Sequence, residues 1–425
     1  MFICKLAIDD SHKPSTIIFS ILAVCLWCIC SGCASQLHDA RKAFYDGNLT
    51  QAADLLSKTD TIFSKDRLLY YMENGVILFH LEKYEESIQQ FLQAASIIQQ
   101  QDHISITDQA TSLVTTEQIA QYKGEYCEQL WVNTHLMMAF LLLNRFDDAL
   151  VEAKQALKKI EANPEAFQHD YFTRYLIAYC YDLLNEKNDA YIEYKKLFNE
   201  LPDANALALD LYRLCQDLGI QDELEQYKKS IQSNGSASSL QGNSSELVVF
   251  VSIGKSPVKV SDSIFIPPAH RFSFPKYEDR TVSQLDIRLE VTETSNNYAV
   301  ISSDLGQLAK TSLEQRAKII IAKEIARLAA KEAIAKAIEN NNNELAANVV
   351  RLVFFLLEEP DTRSWETLPA FLTLVRIPLT PGLHDIRLNL VDDFGNIICT
   401  YRIPEIELKA GQRKFMSVRM DDSPC

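Results

Sequence analysis

The chain reads as an α + β multidomain protein: an N-terminal all-α solenoid, then a C-terminal antiparallel β-sandwich-like domain carrying an inserted helical hairpin. Three observations predict this. From about residue 40 to 231 apolar residues recur at helical spacing with almost no Gly or Pro, and the pattern repeats. From Glu246 the period changes to two, punctuated by Pro257, Pro267-Pro268 and Pro275. Between them lies SNGSASSLQGNSS, a flexible linker by composition. The predicted organisation is a signal segment over 1–32, a helical repeat domain over 33–232, a linker over 233–245 and an α+β domain over 246–425, with its hairpin at about 305–358.

The first segment sets an address. An apolar run, Thr16–Cys30, is too short to span a bilayer as a helix and long enough for the core of a secretory signal. Ser31-Gly32 then precedes Cys33, the arrangement in which a signal peptidase leaves a lipid-carrying cysteine as the new N-terminus. Cys30 stands three residues before it where Leu is usual, and Lys5 and Lys13 are offset by Asp9 and Asp10. Ala34 and Ser35 follow, with no Asp at the second position to hold the product at an inner membrane. Lipidation at Cys33 and an outer-membrane location facing the periplasm are therefore expected, since more than one acyl chain makes attachment stable.

The helical segment divides into units. A frame from Leu68 places Tyr71, Gly75, Ser87, Phe91 and Ala94 at recurring positions; one from Leu130 gives Leu136, Phe140, Ala149, Ala153 and Ala156; one from Tyr171 gives Ala178, Tyr181, Ala190, Tyr194 and Pro202. Small residues let the two helices of a unit approach, and large ones fill the space between units. Asp46-Gly47-Asn48, Glu82-Lys83-Tyr84, Leu143-Asn144-Arg145 and Asn185-Glu186-Lys187 interrupt the apolar runs as turns. This segment resembles tetratricopeptide-repeat proteins over nearly half the chain. An insertion, Gln101–Gln129, separates the second and third units.

In the second half, strands are expected over Leu247–Ile253, Val258–Ile266, Leu285–Thr292, Tyr298–Ser303, Ala370–Ile377, His384–Val391, Ile397–Arg402 and Lys414–Arg419. Helices are expected over Thr311–Glu339 and Glu344–Leu357. Arg316, Lys318, Lys323, Arg327, Lys331 and Lys336 alternate with acids along the first helix and read as a solvated face.

Composition limits the chemistry. The net charge of −15 lies mostly in the helical half, which argues against nucleic acid as a partner. Gly254-Lys255-Ser256 resembles the end of a phosphate-binding loop, but Val249 stands where its first Gly is required. The eight histidines are scattered without metal-ligand spacing, and no GxSxG elbow is present. Cys127, Cys180, Cys215, Cys399 and Cys425 show no CxxC spacing, so neither a zinc site nor a disulfide framework is indicated. No catalytic residue, metal or cofactor is expected.

Two places remain for binding. The first helix of each unit lines a concave groove, which puts Leu69, Met72, Phe79, Trp131, Met138, Phe172, Tyr175 and Tyr179 there. An apolar, aromatic groove suits an extended or helical peptide. The same groove is equally suited to the protein's own insertion or second domain, and the sequence does not choose. The second place is Asp361-Thr362-Arg363-Ser364-Trp365-Glu366-Thr367-Leu368-Pro369. Its Trp and Arg are the usual anchors of an interface. It also reads as a corner in which Trp365 caps the sandwich core and Asp361 orients Arg363, and that reading is preferred.

The lipoprotein signal, the repeats, YKGEYCEQLWVNTHLMMAFLLLNRFDDALVEAKQAL, GKSPVK, FSFPKY and DTRSWETLP together resemble a family of bacterial tetratricopeptide-repeat outer-membrane lipoproteins with no assigned activity. Cys30 and the weakly charged n-region depart from the pattern. The resemblance implies work in cell-envelope assembly. The expected function is a non-enzymatic, membrane-anchored periplasmic scaffold binding envelope proteins. The alternatives are an outer-membrane protein assembly or secretion factor and, in another class, an envelope hydrolase.

Overall fold

A computed structural model describes residues 36–57, 64–102, 121–201, 205–233, 245–266, 270–280, 288–292, 298–340, 344–356, 359–392 and 394–420. The signal segment with Cys33, most of the insertion and nearly all of the expected linker lie outside the described residues. Helical hairpins stack in chain order. They are α1 (Gln36–Tyr45) with α2 (Leu49–Ser57), α3 (Arg67–His80) with α4 (Tyr84–Asp102), α5 (Tyr126–Leu142) with α6 (Phe146–Ala162), α7 (Tyr171–Leu183) with α8 (Lys187–Phe198), and α9 (Asn205–Leu218) with α10 (Leu224–Ser233).

Each hairpin turns the same way. Gly47, Glu82, Asn144, Asn185 and Gly219 have positive φ, and the residue after each returns a backbone hydrogen bond to the carbonyl five residues earlier. Those bonds, from Asn48 to Ala43, Lys83 to Leu78, Arg145 to Phe140, Glu186 to Tyr181 and Ile220 to Cys215, close the exposed helix ends as Schellman caps. The close approach inside a unit is equally concrete. A methyl group on Gly75 would lie 2.5 Å from the Phe91 ring, and Ser87 Oγ donates to the Gly75 carbonyl at 2.7 Å.

The second half supplies β1 (Ser245–Ile253), β2 (Val258–Ile266), β3 (His270–Glu278), β4 (Arg288–Thr292), β5 (Ala299–Asp304), β6 (Phe371–Leu379), β7 (Gly382–Val391), β8 (Ile397–Leu408) and β9 (Arg413–Met420). A four-stranded sheet runs β5-β6-β1-β9, a three-stranded sheet runs β4-β7-β8, and β2-β3 form a two-stranded ribbon. The expectation of an antiparallel domain fails at one pair: β9 lies parallel to β1, with Val251 opposite Val418. β3 was not expected as a strand, because Pro275 in FSFPKY reads as a break. In a two-stranded ribbon the proline faces Ser261 on an open edge, where a missing N–H is tolerated. The hairpin consists of α11 (Leu305–Glu339) and α12 (Glu344–Leu356). α11 begins six residues earlier than the apolar period suggests, since Asp304 caps it by accepting from the Gln307 N–H.

The core is divided by the four-stranded sheet. Leu247, Val249 and Val251 of β1 and Val375 and Ile377 of β6 face Ile386, Leu388 and Leu390 of the three-stranded sheet. The alternate residues, Val248 and Phe250 of β1 and Leu372 and Leu374 of β6, belong to the same core as the repeat helices. The solenoid and the sheet thus share one interior.

Candidate functional site

All eight groove residues lie where the repeat frames put them, on the first helices α3, α5 and α7, and every one is at most 2% exposed. For Phe172, Tyr175 and Tyr179 the cover is the chain's own second half. Phe172 meets Phe250 of β1 with ring centroids 6.3 Å apart, and Tyr179 meets Phe415 of β9 at the same separation. Trp131 donates to Asp170, the cap of α7, at 3.1 Å, and Ser303 of β5 donates to the same carboxylate at 3.0 Å. Where sequence left the groove either open or filled, its occupant is one face of the sheet β5-β6-β1-β9 and the segment that leads into β6.

That segment is DTRSWETLP. Trp365, 1% exposed, inserts its ring beside Phe91 at 5.9 Å and His135 at 5.3 Å. It therefore lies in the solenoid groove. The expectation that it caps the sandwich core is corrected: in its surroundings helices α4 and α5 take the place of the three-stranded sheet. Asp361 holds Arg363 through both carboxylate oxygens at 2.8 Å, and Arg363 also donates to Asp66 at 2.8 Å and lies over Tyr122. The peptide backbone is gripped by buried carboxylates from two repeats. Glu128 accepts from the Trp365 N–H at 2.7 Å, while Glu73 accepts from Glu366 N at 3.0 Å and Thr367 N at 3.1 Å. This is how a repeat groove holds an extended peptide, performed within one chain.

Three charge clusters lock the arrangement, and the sequence reading named only Arg316 among their cations, as part of a solvated face. That face is corrected at Arg316, which pairs with buried Glu125, and at buried Arg327 and Lys331, while Lys318 and Lys336 are exposed. Arg41 of α1 donates to Glu73, to Glu366 at 2.6 Å and to the Ser364 carbonyl at 2.7 Å. Lys259 of β2 and Arg316 of α11 converge on Glu125, with Lys259 at 2.7 Å. Burial pushes the Glu125 carboxyl up, but the two cations outweigh it and hold it at about 2. Arg376 of β6 pairs with Glu246 at 2.5 Å and Asp210 at 2.7 Å, donates to Tyr175, and stacks over Tyr179. No local motif marks these residues, because their partners are far away in the chain.

The groups that could serve chemistry are built into the packing. His135 is 2% exposed, and its Nδ1 donates to the Trp131 carbonyl at 2.8 Å. Burial drives its imidazole down to about 4, against the pull of that hydrogen bond. Asp170 and Ser303 form a serine–carboxylate contact, but both are sealed from solvent and share it with Thr173 and Trp131. Burial raises the Asp170 carboxyl. Among the described residues no group of three or more His, Cys, Asp or Glu could hold a metal, and no helix is long and apolar enough to cross a membrane. Cys127, Cys180 and Cys215 are free and buried. Cys399 is disulfide-bonded, although its spacing in the sequence gave no indication of a bridge.

No family model matches the chain, and no curated protein matches it. Solved structures are similar to its helical half. MamA of AMB-1 is 15% identical over 48% of this chain and 92% of its own, with a TM-score of 0.33. A putative kinesin light chain of Podosopora anserina with nearly identical TPR-like repeats is 15% identical over 49% of this chain and 96% of its own, with a TM-score of 0.34. MamA of Desulfovibrio magneticus RS-1 is 12% identical over 49% and 96%, with a TM-score of 0.33.

Proposed function

We propose that the chain is a lipid-anchored scaffold of the cell envelope whose repeat groove serves the protein's own architecture, leaving its outer faces for partners. The observation that carries this reading is the occupied groove. All eight groove residues are buried, and the sheet and the Trp365 segment occupy the groove, so a partner meets the convex helices and the outer surface of the second half. Val151 and Leu92, on the second helices of two units, are exposed large apolar residues of that outer surface.

Gln36 of α1 stands three residues beyond Cys33. An acylated Cys33 would therefore hold the body within about 10 Å of the bilayer surface, at about 3.5 Å per extended residue. The disulfide at Cys399 suits an exported protein, because reducing cytosol keeps thiols free. Labelling cells with a radioactive fatty acid tests the anchor. The wild-type chain should carry label and sediment with membranes, and Cys33→Ala should lose both; a labelled Cys33→Ala protein overturns the reading. Photo-crosslinkers at Val151 and Leu92 test the scaffold role, with discrete envelope-protein adducts expected. An assembly or secretion role is the same reading with an outer-membrane client among those adducts.

A further inference from the structure

We propose that Cys399 is bridged to Cys425, and that this bond ties the end of β9 to β8 of the facing sheet. The inference rests on the reading of Cys33 as the acylated N-terminus. The chain has ten cysteines. Cys127, Cys180 and Cys215 are free, buried thiols of the solenoid, whereas Cys399 is in a disulfide. Cys4, Cys25, Cys28 and Cys30 leave with the signal segment, and acylation consumes the thiol of Cys33. Cys425 is the cysteine left to pair.

Placement agrees with this elimination. Cys399 lies opposite Leu390 of β7 and is 4% exposed, within the core between the three-stranded and four-stranded sheets. A sulfur enclosed there is shielded from a second chain. Met420, which ends β9, belongs to the same core and is 2% exposed. The turn between β8 and β9, closed by Gln412 N–H donating to the Lys409 carbonyl at 3.0 Å, reverses the chain. Cys399 stands about 30 Å along β8 before that turn and Met420 about 23 Å along β9 after it, so both fall at the far end of their strands. The residues from Asp421 to Cys425 span up to about 17 Å, enough to cross the roughly 10 Å between facing sheets.

β9 is the strand that gains most from such a tie. It ends the four-stranded sheet with β1 as its neighbour there, and it presents Phe415 to Tyr179 in the groove. The bond also removes freedom from the unfolded chain over 399–425. Its formation takes two protons and two electrons from the two thiols, and these reduce one disulfide of a thiol–disulfide oxidoreductase to its dithiol.

Peptide mapping of the full chain tests this. Cells producing it are treated with iodoacetamide before lysis, and the denatured protein is cut with trypsin in the absence of reductant. Mass spectrometry should find the peptide Leu388–Arg402 joined to the one that begins at Met420, and reductant should part them. In urea the wild-type midpoint should fall when reductant is added, and Cys425→Ser should sit at the lower value with or without it. Alkylated Cys399, Cys399 joined to any other cysteine, or a midpoint indifferent to reductant overturns the proposal. The anchor is read in the same digest: an acylated Cys33 beside an alkylated Cys399 refutes the bridge alone, whereas a Cys33–Cys399 peptide refutes both.

Discussion

Gly75 and Phe91 occupy one volume between the two helices of their unit, and neither can grow. Alanine at 75 would gain helix propensity, worth about 1 kcal/mol, but its methyl would meet the ring at 2.5 Å. The ring is held by His135 and Trp365 and has nowhere to retreat. Overpacking of this kind costs about 1–3 kcal/mol, so Gly75→Ala should lower stability to urea despite the better helix former. His135 makes a second prediction. Its folded value of about 4 lies below the unfolded value of about 6.5, so the neutral ring's contribution is present above pH 6.5 and is lost as pH falls toward 4. The full loss is about 3 kcal/mol. His135→Phe keeps an aromatic ring without a proton to take up. The stability difference between wild type and variant should therefore move by that amount in the variant's favour between about pH 7 and pH 4. The comparison cancels Glu128, Glu152 and Asp170, whose burial-raised carboxyls act in the opposite direction in both proteins. A pH-independent difference would show that His135 is not held neutral.

The repeat turns show how strongly local chemistry writes an element. The left-handed position is occupied by Gly at 47 and 219, by Asn at 144 and 185, and by Glu at 82. Asn and Gly tolerate that backbone; a glutamate does so at a cost. Glu82→Gly should raise the stability of the chain by about 0.5–1 kcal/mol, read as a higher midpoint in urea, and no gain would mean that the Glu82 side chain contributes more than the turn it strains. These turns, and with them the helical half, were legible because each is decided within six residues. The filled groove was half legible. β1 reads LVVFV and β6 reads FLTLV, continuous apolar runs that imply burial on both faces, whereas a two-sheet sandwich buries only one. The second face required a cover, and the apolar groove was available. What could not be read was the set of carboxylates that hold the two together. Glu73 looks like an ordinary helical acid, and Glu128 is already engaged locally, accepting from the Glu125 N–H and the Tyr122 hydroxyl; Arg41 and the backbone at 365–367 reach them from far along the chain.

At the scale of the whole molecule, the shared core joins the helical half and the second half into one thermodynamic body. Val248, Phe250, Trp365 and Leu374 complete the interior of the solenoid, so neither half buries its apolar surface alone. Arg376 adds the charge side of the same coupling, since it joins buried Asp210 of α9 to Glu246 of β1. Breaking a buried pair of this kind costs about 3–5 kcal/mol. A protease site placed within residues 234–244 turns this into a measurement. After cleavage the two pieces should co-elute as a single species and melt in one calorimetric transition. Arg376→Met should weaken that association until the pieces separate on dilution, while the uncut variant stays folded because the linker keeps the halves at high effective concentration. Pieces that separate readily without any substitution would mean that the groove is only loosely filled, and an external peptide could then compete for Tyr175 and Tyr179.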